Sequence, residues 1–332
     1  MHPAFDVVAQ HLETHPIPGA AAAVLRGDSI ETFTTGHLWH TPDAPPVTLE
    51  TVWDLASLTK VLVTVPLLLK LWETGGLDLE APLSDALPEV RGFALETATV
   101  LQLVAHTSGL EALSRVRFWN LSRDAALRRA LEEPRPMTGI VYSDQGFIVL
   151  TRLLERLYDA RIDVVTEREL FSPVGANLTY HPNPLLWRRH GVRHHRGSPA
   201  ARHRSRREHP CARGGVGTRG VVRCSARSRE VHPRPDGRTR FATRDARAHG
   251  SADSSHGNDA RGFGWVARHD GWLGGERAAM SALGHTGFTG TGIWFDLETM
   301  HANVLLTNRV CPSRDQPSEI AALRRAFNDA AW

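Results

Sequence analysis

The chain has 332 residues, of which 41% are hydrophobic, 23% charged and 7% aromatic. That is ordinary globular composition with ample apolar surface for a core. It excludes a disordered chain or a collagen-like repeat, and three cysteines (Cys211, Cys224, Cys311) exclude a disulfide framework. The net charge of +3 is uneven: residues 188–250 hold 18 arginines and no lysine against 4 acids, a local +14, whereas the remaining 21 basic and 32 acidic residues amount to −11. Any partner inferred from the isoelectric point near 9.0 is therefore inferred from that one segment. No run approaches the roughly 20 apolar residues of a membrane span. The N-terminus (Met1, His2, Pro3, then Asp6) lacks the basic-then-apolar layout of a signal peptide, so a soluble cytoplasmic protein without a membrane partner is expected.

In chain order, residues Gly19 to Gly36 read as a β-hairpin, with a small apolar run Ala20 to Leu25, a turn at Gly27-Asp28 and an alternating stretch Ile30 to Thr34. From Ser57 to Glu73 the period becomes helical: Leu58, Val61, Leu62, Val65, Leu68, Leu69 and Trp72 recur at three and four residues. Pro66 is expected to kink this helix and Gly75-Gly76 to stop it. Further helices are predicted over Val100 to Ala105, Asp124 to Glu132 and Gly146 to Tyr158. Strands follow at Phe263 to Arg268, Gly292 to Phe295 and Ala302 to Thr307, then a last helix from Pro317 to Ala330. Strands at both ends of a helical middle predict a sheet assembled from the two termini, with helices on it and a mainly helical subdomain. The chain is read as one unit: an α/β part from residues 1–56 and 258–332, a helical part from 57–188, and an anomalous stretch, 189–257.

That stretch stands out because residues 188–272 contain neither Leu nor Ile, although the preceding half of the chain is Leu-rich. A disordered basic linker fits such a composition. A nucleic-acid-binding arm fits less well, since aromatics for stacking are nearly absent, and the histidines (His190, His194, His195, His203, His209) match no common zinc spacing. A third reading is translation in a shifted frame. Each residue constrains its codon, and the frame displaced by one base permits ordinary core composition here; from Ser228 through Ala242 it permits DLARFTRALMDGRVL, with helical spacing. The shifted frame is the preferred reading for 189–257. No nucleic-acid partner is then expected, and an inactive remnant or an Arg-rich nucleic-acid binder stays as the alternative.

Lysine occurs only twice, as Lys60 and Lys70. Lys60 follows Ser57 by three residues, which puts both side chains on one helix face. A serine hydroxyl is a weak nucleophile until a neighbouring base takes its proton, and the free N–H groups of a helix start favour the negative charge that attack creates. Alone, S-x-x-K is weak evidence and equally describes a solvated helix start. Two later pieces accompany it: Tyr142-Ser143-Asp144 in a turn before a helical run, and His285-Thr286-Gly287 opening a strand edge rich in Gly and Thr (Phe288, Thr289, Gly290, Thr291, Gly292).

In this order the three motifs resemble the signature of the penicillin-recognising serine hydrolases, the superfamily of serine β-lactamases, D,D-peptidases and related esterases. The segments His106-Thr107-Ser108-Gly109-Leu110 and Gly76-Leu77-Asp78-Leu79 add to the likeness, which spans about residues 15–185 and 260–310 and points to class C-like and esterase-type members. The resemblance implies an α+β fold with an antiparallel sheet built from both termini. It implies an acyl-enzyme on Ser57, with Lys60 as its proton partner and Tyr142 shuttling the proton to the leaving group. Thr286 and Gly287 would hold the substrate along the strand edge, and the backbone N–H groups of Ser57 and Phe288 would form the oxyanion hole. His285 stands where many members carry lysine, so it supplies positive charge only when protonated. Asp144 stands where β-lactamases usually carry asparagine for the substrate amide, which weighs against β-lactam recognition. The substrate implied is a small-molecule ester or amide, from a short ester to a peptide or muropeptide fragment, and no metal or organic cofactor is required. The oligomeric state is open.

Overall fold

The hairpin expected near the N-terminus is present in the computed structural model, which describes residues 2–111, 121–132, 135–181, 221–223, 261–311, 313 and 318–332. Strands β1 (Gly19–Arg26) and β2 (Ser29–Gly36) pair antiparallel, and the turn places Gly27 at φ 57°, where a Cβ would be strained. The other partner of β1 comes from the far end of the chain: β10 (His301–Thr307) aligns Thr307 with Ala20 and His301 with Arg26. Outward from β10 lie β9 (Gly292–Asp296), β8 (Leu283–Thr286), β7 (Trp265–Ala267) and β6 (Arg261–Gly262). The order is β2-β1-β10-β9-β8-β7-β6, antiparallel at every step. This is the α+β sheet of both termini that the sequence predicts. A smaller antiparallel sheet places β5 (Val221–Arg223) between β3 (Val52–Asp54) and β4 (Leu178–Thr179).

The period of two along β1 decides which layer each residue joins. Ala20, Ala22 and Val24 face the two terminal helices, Pro3–Thr14 and Ile320–Ala331, and pack with Phe5, Val8, Trp294, Leu323 and Phe327. Ala21 faces the other way, toward Leu55, Leu58, Val61 and Leu306. The helical part has its own core, with Leu67, Leu68, Leu103, Phe147, Leu150 and Leu154 fully buried. Each such side chain contributes roughly 1.5–3 kcal/mol by leaving water.

The helix predicted over Ser57 to Glu73 begins at Leu58, and after Leu58 and Thr59 its next turn is not α-helical. Lys60–Thr64 form a π turn in which the Val65 N–H reaches the Lys60 carbonyl, and α-helix follows over Val65–Glu73 with Pro66 in its first turn. Pro66 has no N–H to continue an α-helical ladder, and the wider turn absorbs the break that appears in sequence as a kink.

Elsewhere the differences are local. Phe263 to Arg268 reads as one strand but contains the turn of a β6–β7 hairpin, because Phe263 and Gly264 both take positive φ (44° and 84°). The helix Pro3–Thr14 is not predicted from periodicity; only Ala4, Phe5 and Val8 on it are buried. Its start is marked instead by Pro3 and by the His2 ring, which accepts the Ala4 N–H. The last helix starts at Ile320 rather than Pro317. The stretch 189–257, with its shifted-frame reading, lies outside the described residues apart from 221–223. Among the described residues, no helix is long and apolar enough to cross a membrane.

Candidate active site

Ser57 sits in the turn between β3 and the helix. The Asp54 carboxylate accepts the Ala56 N–H at 2.8 Å, Ala56 takes φ 48°, and the Leu58, Thr59 and Lys60 amides then bond back to Leu55, Ala56 and Ser57. One turn on, Lys60 is completely buried. Its Nζ donates to Ser57 Oγ at 3.2 Å and to Asp144 Oδ1 at 2.6 Å. Burial pulls the Lys60 pKa down, but Tyr142 and Asp144 beside it pull up more strongly together, and the net is a pKa above the ordinary lysine value. Lys60 therefore carries a held proton and acts as a cation in this state.

Tyr142 is placed by His106. At the end of the helix Val100–Val104, His106 takes φ 60°, so that its carbonyl accepts the Val141 N–H (2.8 Å) and its Nδ1 accepts the Ser143 N–H (3.0 Å). The imidazole lies 4.5 Å from the Tyr142 ring, centre to centre. Burial, then the charges of Arg261 and Lys60, hold its pKa well below that of an ordinary histidine, so the ring is neutral and carries its proton on Nε2. Two cations flank the tyrosine: Lys60 Nζ is 5.2 Å from the ring centre, and the Arg261 guanidinium carbon is 5.1 Å from it. Asp144 opens the helix Asp144–Leu157.

The opposite wall is the edge of β8 and its turn into β9. His285 is buried and its Nδ1 lies 3.0 Å from the Thr286 carbonyl, an arrangement in which the ring donates from Nδ1. Burial, then Arg261 and Lys60, push its pKa well below the usual range, so it is neutral at this wall rather than a substitute for a lysine charge. Gly287 has no room for a side chain: a Cβ would lie 2.1 Å from Thr291 Oγ1 and 2.5 Å from the Leu55 carbonyl. The turn is bolted to the segment leading into Ser57, because Thr289 Oγ1 donates to the Asp54 carbonyl (2.5 Å) and Thr291 Oγ1 to that of Leu55 (3.1 Å).

Between the walls lies a cleft of about 340 Å³ lined by Ser57, Tyr142, Arg261, His285, Thr286 and Phe288, with Val266, Trp272 and Leu273 as its apolar end. That is the size of a small-ligand site. The structure thus joins residues 57, 60, 142 and 144 through hydrogen bonds or ring contacts, and sets 285–288 across the cleft from them. Asp144 faces Lys60 rather than the cleft lining. Sequence reasoning missed two residues, His106 and Arg261. His106 was visible as part of a histidine-threonine-serine-glycine helix end; Arg261 had only its place beside the Gly-Phe-Gly-Trp run as a signal. Among the described residues no cluster of His, Cys, Asp or Glu is arranged to hold a metal.

The Beta-lactamase family model matches residues 5–326, and the chain belongs to that family. Penicillin-binding protein 4 of Amycolatopsis lactamdurans is 29% identical over 177 residues, 48% of this chain and 44% of that one. An N-acetylmuramyl-L-alanine amidase of Bacillus subtilis (strain 168) is 29% identical over 151 residues, 41% of this chain and 34% of that one. The matches span less than half the length of these curated relatives. Among solved structures, a β-lactamase/D-alanine carboxypeptidase from Yersinia pestis aligns with TM-score 0.68 at 18% identity, covering 99% of this chain and 98% of that one. A class C β-lactamase from Rhodobacter sphaeroides aligns with TM-score 0.64 at 19% identity, covering 99% and 98%. At these identities the likeness is one of fold. The chain is a serine-hydrolase-type member of the Beta-lactamase family.

Proposed function

We propose that the chain hydrolyses small esters or amides through an acyl-enzyme on Ser57. The observation that carries this reading is the position of the Lys60 ammonium, bonded to Ser57 Oγ and Asp144 at once and in contact with Tyr142. With Lys60 protonated, it is not the base. Tyr142, as the phenolate that the neighbouring Lys60 cation favours, takes the hydroxyl proton as Ser57 Oγ attacks the carbonyl, and so becomes a neutral phenol. The carbonyl oxygen becomes an oxyanion held by the N–H groups of Ser57 and Phe288. Tyr142 then returns the proton to the departing alcohol or amine, and water removes the acyl group by the same steps.

Asp144 favours esters over β-lactams. It gives one oxygen to Lys60 and, as a carboxylate, has no N–H for a substrate carbonyl. A second reading, cleavage of amides in peptide or muropeptide fragments, draws on the names of the two curated relatives. A cytoplasmic setting is part of the proposal. The test is labelling by a fluorophosphonate together with hydrolysis of short p-nitrophenyl esters, a chromogenic cephalosporin and a muramyl dipeptide. Wild type is expected to be labelled and to turn over the ester fastest, and Ser57→Ala to do neither. Equal behaviour of the two proteins toward all reagents overturns the proposal.

A further inference from the structure

Outside the cleft lining, Arg324 projects from the last helix into the core and is 6% exposed. Its Nη2 donates to the carbonyls of Gly287 and Thr291, both at 2.8 Å. These close the ends of the turn between β8 and β9. Gly287 N–H bonds to Thr291 O at 2.8 Å, and Gly290 N–H to Gly287 O at 3.1 Å. No ion pair joins Arg324 to an acid among the described residues, so its charge faces the turn carbonyls without local neutralisation. Burying a guanidinium against neutral acceptors is costly, and an apolar side chain would fill the same core space at no such cost.

The peptide that Arg324 grips decides what this arrangement does. The Gly287 carbonyl and the Phe288 N–H belong to one planar trans unit, in which C=O and N–H point in opposite directions. Drawing the carbonyl toward Arg324 in the core turns the N–H toward the cleft that Phe288 lines. A charged donor on the carbonyl also polarises the amide and makes its N–H a stronger donor. We propose that Arg324 is a positioning residue for catalysis: from outside the cleft it sets the direction and the polarity of the Gly287–Phe288 peptide that receives the oxyanion. This rests on the reading of Ser57 as nucleophile. It makes the last helix part of the catalytic apparatus, although none of its side chains lines the cleft.

The experiment measures kcat and KM for a p-nitrophenyl ester, affinity for a boronic acid that forms a tetrahedral Ser57 adduct, and thermal stability, in wild type, Arg324→Lys and Arg324→Met. Displacing one oxyanion donor is expected to lower kcat about 10–100-fold in Arg324→Met, within the range for donor loss or a displacement near 1 Å. Boronic acid affinity falls in parallel, while KM stays within about threefold. Arg324→Lys, which keeps the charge but reaches one carbonyl better than two, recovers most of the loss. A folded Arg324→Met with wild-type kcat overturns the inference, as does a loss confined to KM or to stability with boronic acid affinity unchanged. If Arg324→Met does not fold, Arg324→Lys decides alone: a kcat reduced about three- to tenfold with parallel weakening of the boronic acid supports the inference, and wild-type values for both overturn it. Fluorophosphonate labelling of wild type separates the levels. Labelling lost in Ser57→Ala with an indifferent Arg324 removes this inference only, whereas no Ser57-dependent labelling removes the proposed function as well.

Discussion

The two walls of the cleft handle charge in opposite ways. On the helical side the working parts are ionised side chains, a buried Lys60 ammonium held by Asp144 and set against Tyr142. On the sheet side the corresponding position, His285, is neutral, and beside it lies a turn clamped by Thr289, Thr291 and Arg324. The difference follows from the chemistry at each wall. Proton transfer needs groups whose charge changes, and a buried ion pair fixes their starting state. In the proposed reading, oxyanion binding needs donors that do not move when charge develops, and a turn clamped by Thr289, Thr291 and the Arg324 guanidinium supplies them.

Breaking the helical wall is expected to give the largest effect. Lys60→Met removes the cation between Ser57 and Tyr142 and leaves Asp144 without its partner; ester kcat should fall on the order of 10³-fold or more, as for loss of a member of an activated nucleophile. Stopped-flow acylation measures it, and a fall of less than about tenfold would mean that Lys60 serves only the fold. Gly287→Ala attacks the other wall. Its Cβ must displace Thr291 Oγ1 or the Leu55 backbone, so the turn shifts relative to Ser57 and kcat falls about 10²-fold while the N–H groups themselves remain. Unchanged kinetics in Gly287→Ala would show that the turn tolerates movement and that its clamps are irrelevant to rate.

Asp144→Asn sharpens the account of the ammonium. Burial lowers the Lys60 pKa, and Tyr142 and Asp144 raise it; without the carboxylate only Tyr142 opposes burial, so the pKa falls. Because the protonated form is the working one, the alkaline limb of kcat/KM is expected to move to lower pH, with a loss of about tenfold or less at neutrality. A limb that stays in place or moves upward would show that Asp144 does not hold the Lys60 proton.

How legible these walls were depends on the range of the contacts that make them. The S-x-x-K pair is local, three residues apart on one helix face, and periodicity alone brings it together. The N-terminal hairpin was legible for the same reason, its small apolar run and its alternating run being separated by a glycine turn. His106 was not, because its role is to accept a hydrogen bond from Ser143, 37 residues away, in a backbone conformation that no pattern signals. Arg324 looks in sequence like any arginine on an amphipathic helix; only the sheet packed against it shows that it is buried and turned toward Gly287. The β6–β7 hairpin escaped because a two-residue turn at Phe263-Gly264 is apolar enough to read as strand. The helix Pro3–Thr14 escaped because only three of its residues are buried, all in its first half.

The smallest kinetic effect belongs to His285, and it tests whether that ring supplies a charge to the sheet wall. If the ring is neutral throughout the working range, His285→Gln removes no cation and ester kcat should stay within about threefold of wild type. The same substitution should be visible in stability. The folded-state pKa of His285 is well below the usual 6.5, so its contribution is complete above about pH 6.5 and is lost as pH falls toward the folded value, because the unfolded chain binds a proton that the folded chain refuses. Unfolding free energy of wild type should therefore drop on acidification below about pH 6.5, with at most about 1.4 kcal/mol per pH unit from this one group. In His285→Gln the slope becomes shallower by up to that amount, and His106, His2, His11 and His301, shifted in the same direction, keep the remainder. Denaturant titrations between pH 5 and 7.5 measure both slopes. Equal slopes together with a large kinetic loss would mean that His285 is charged when the enzyme works.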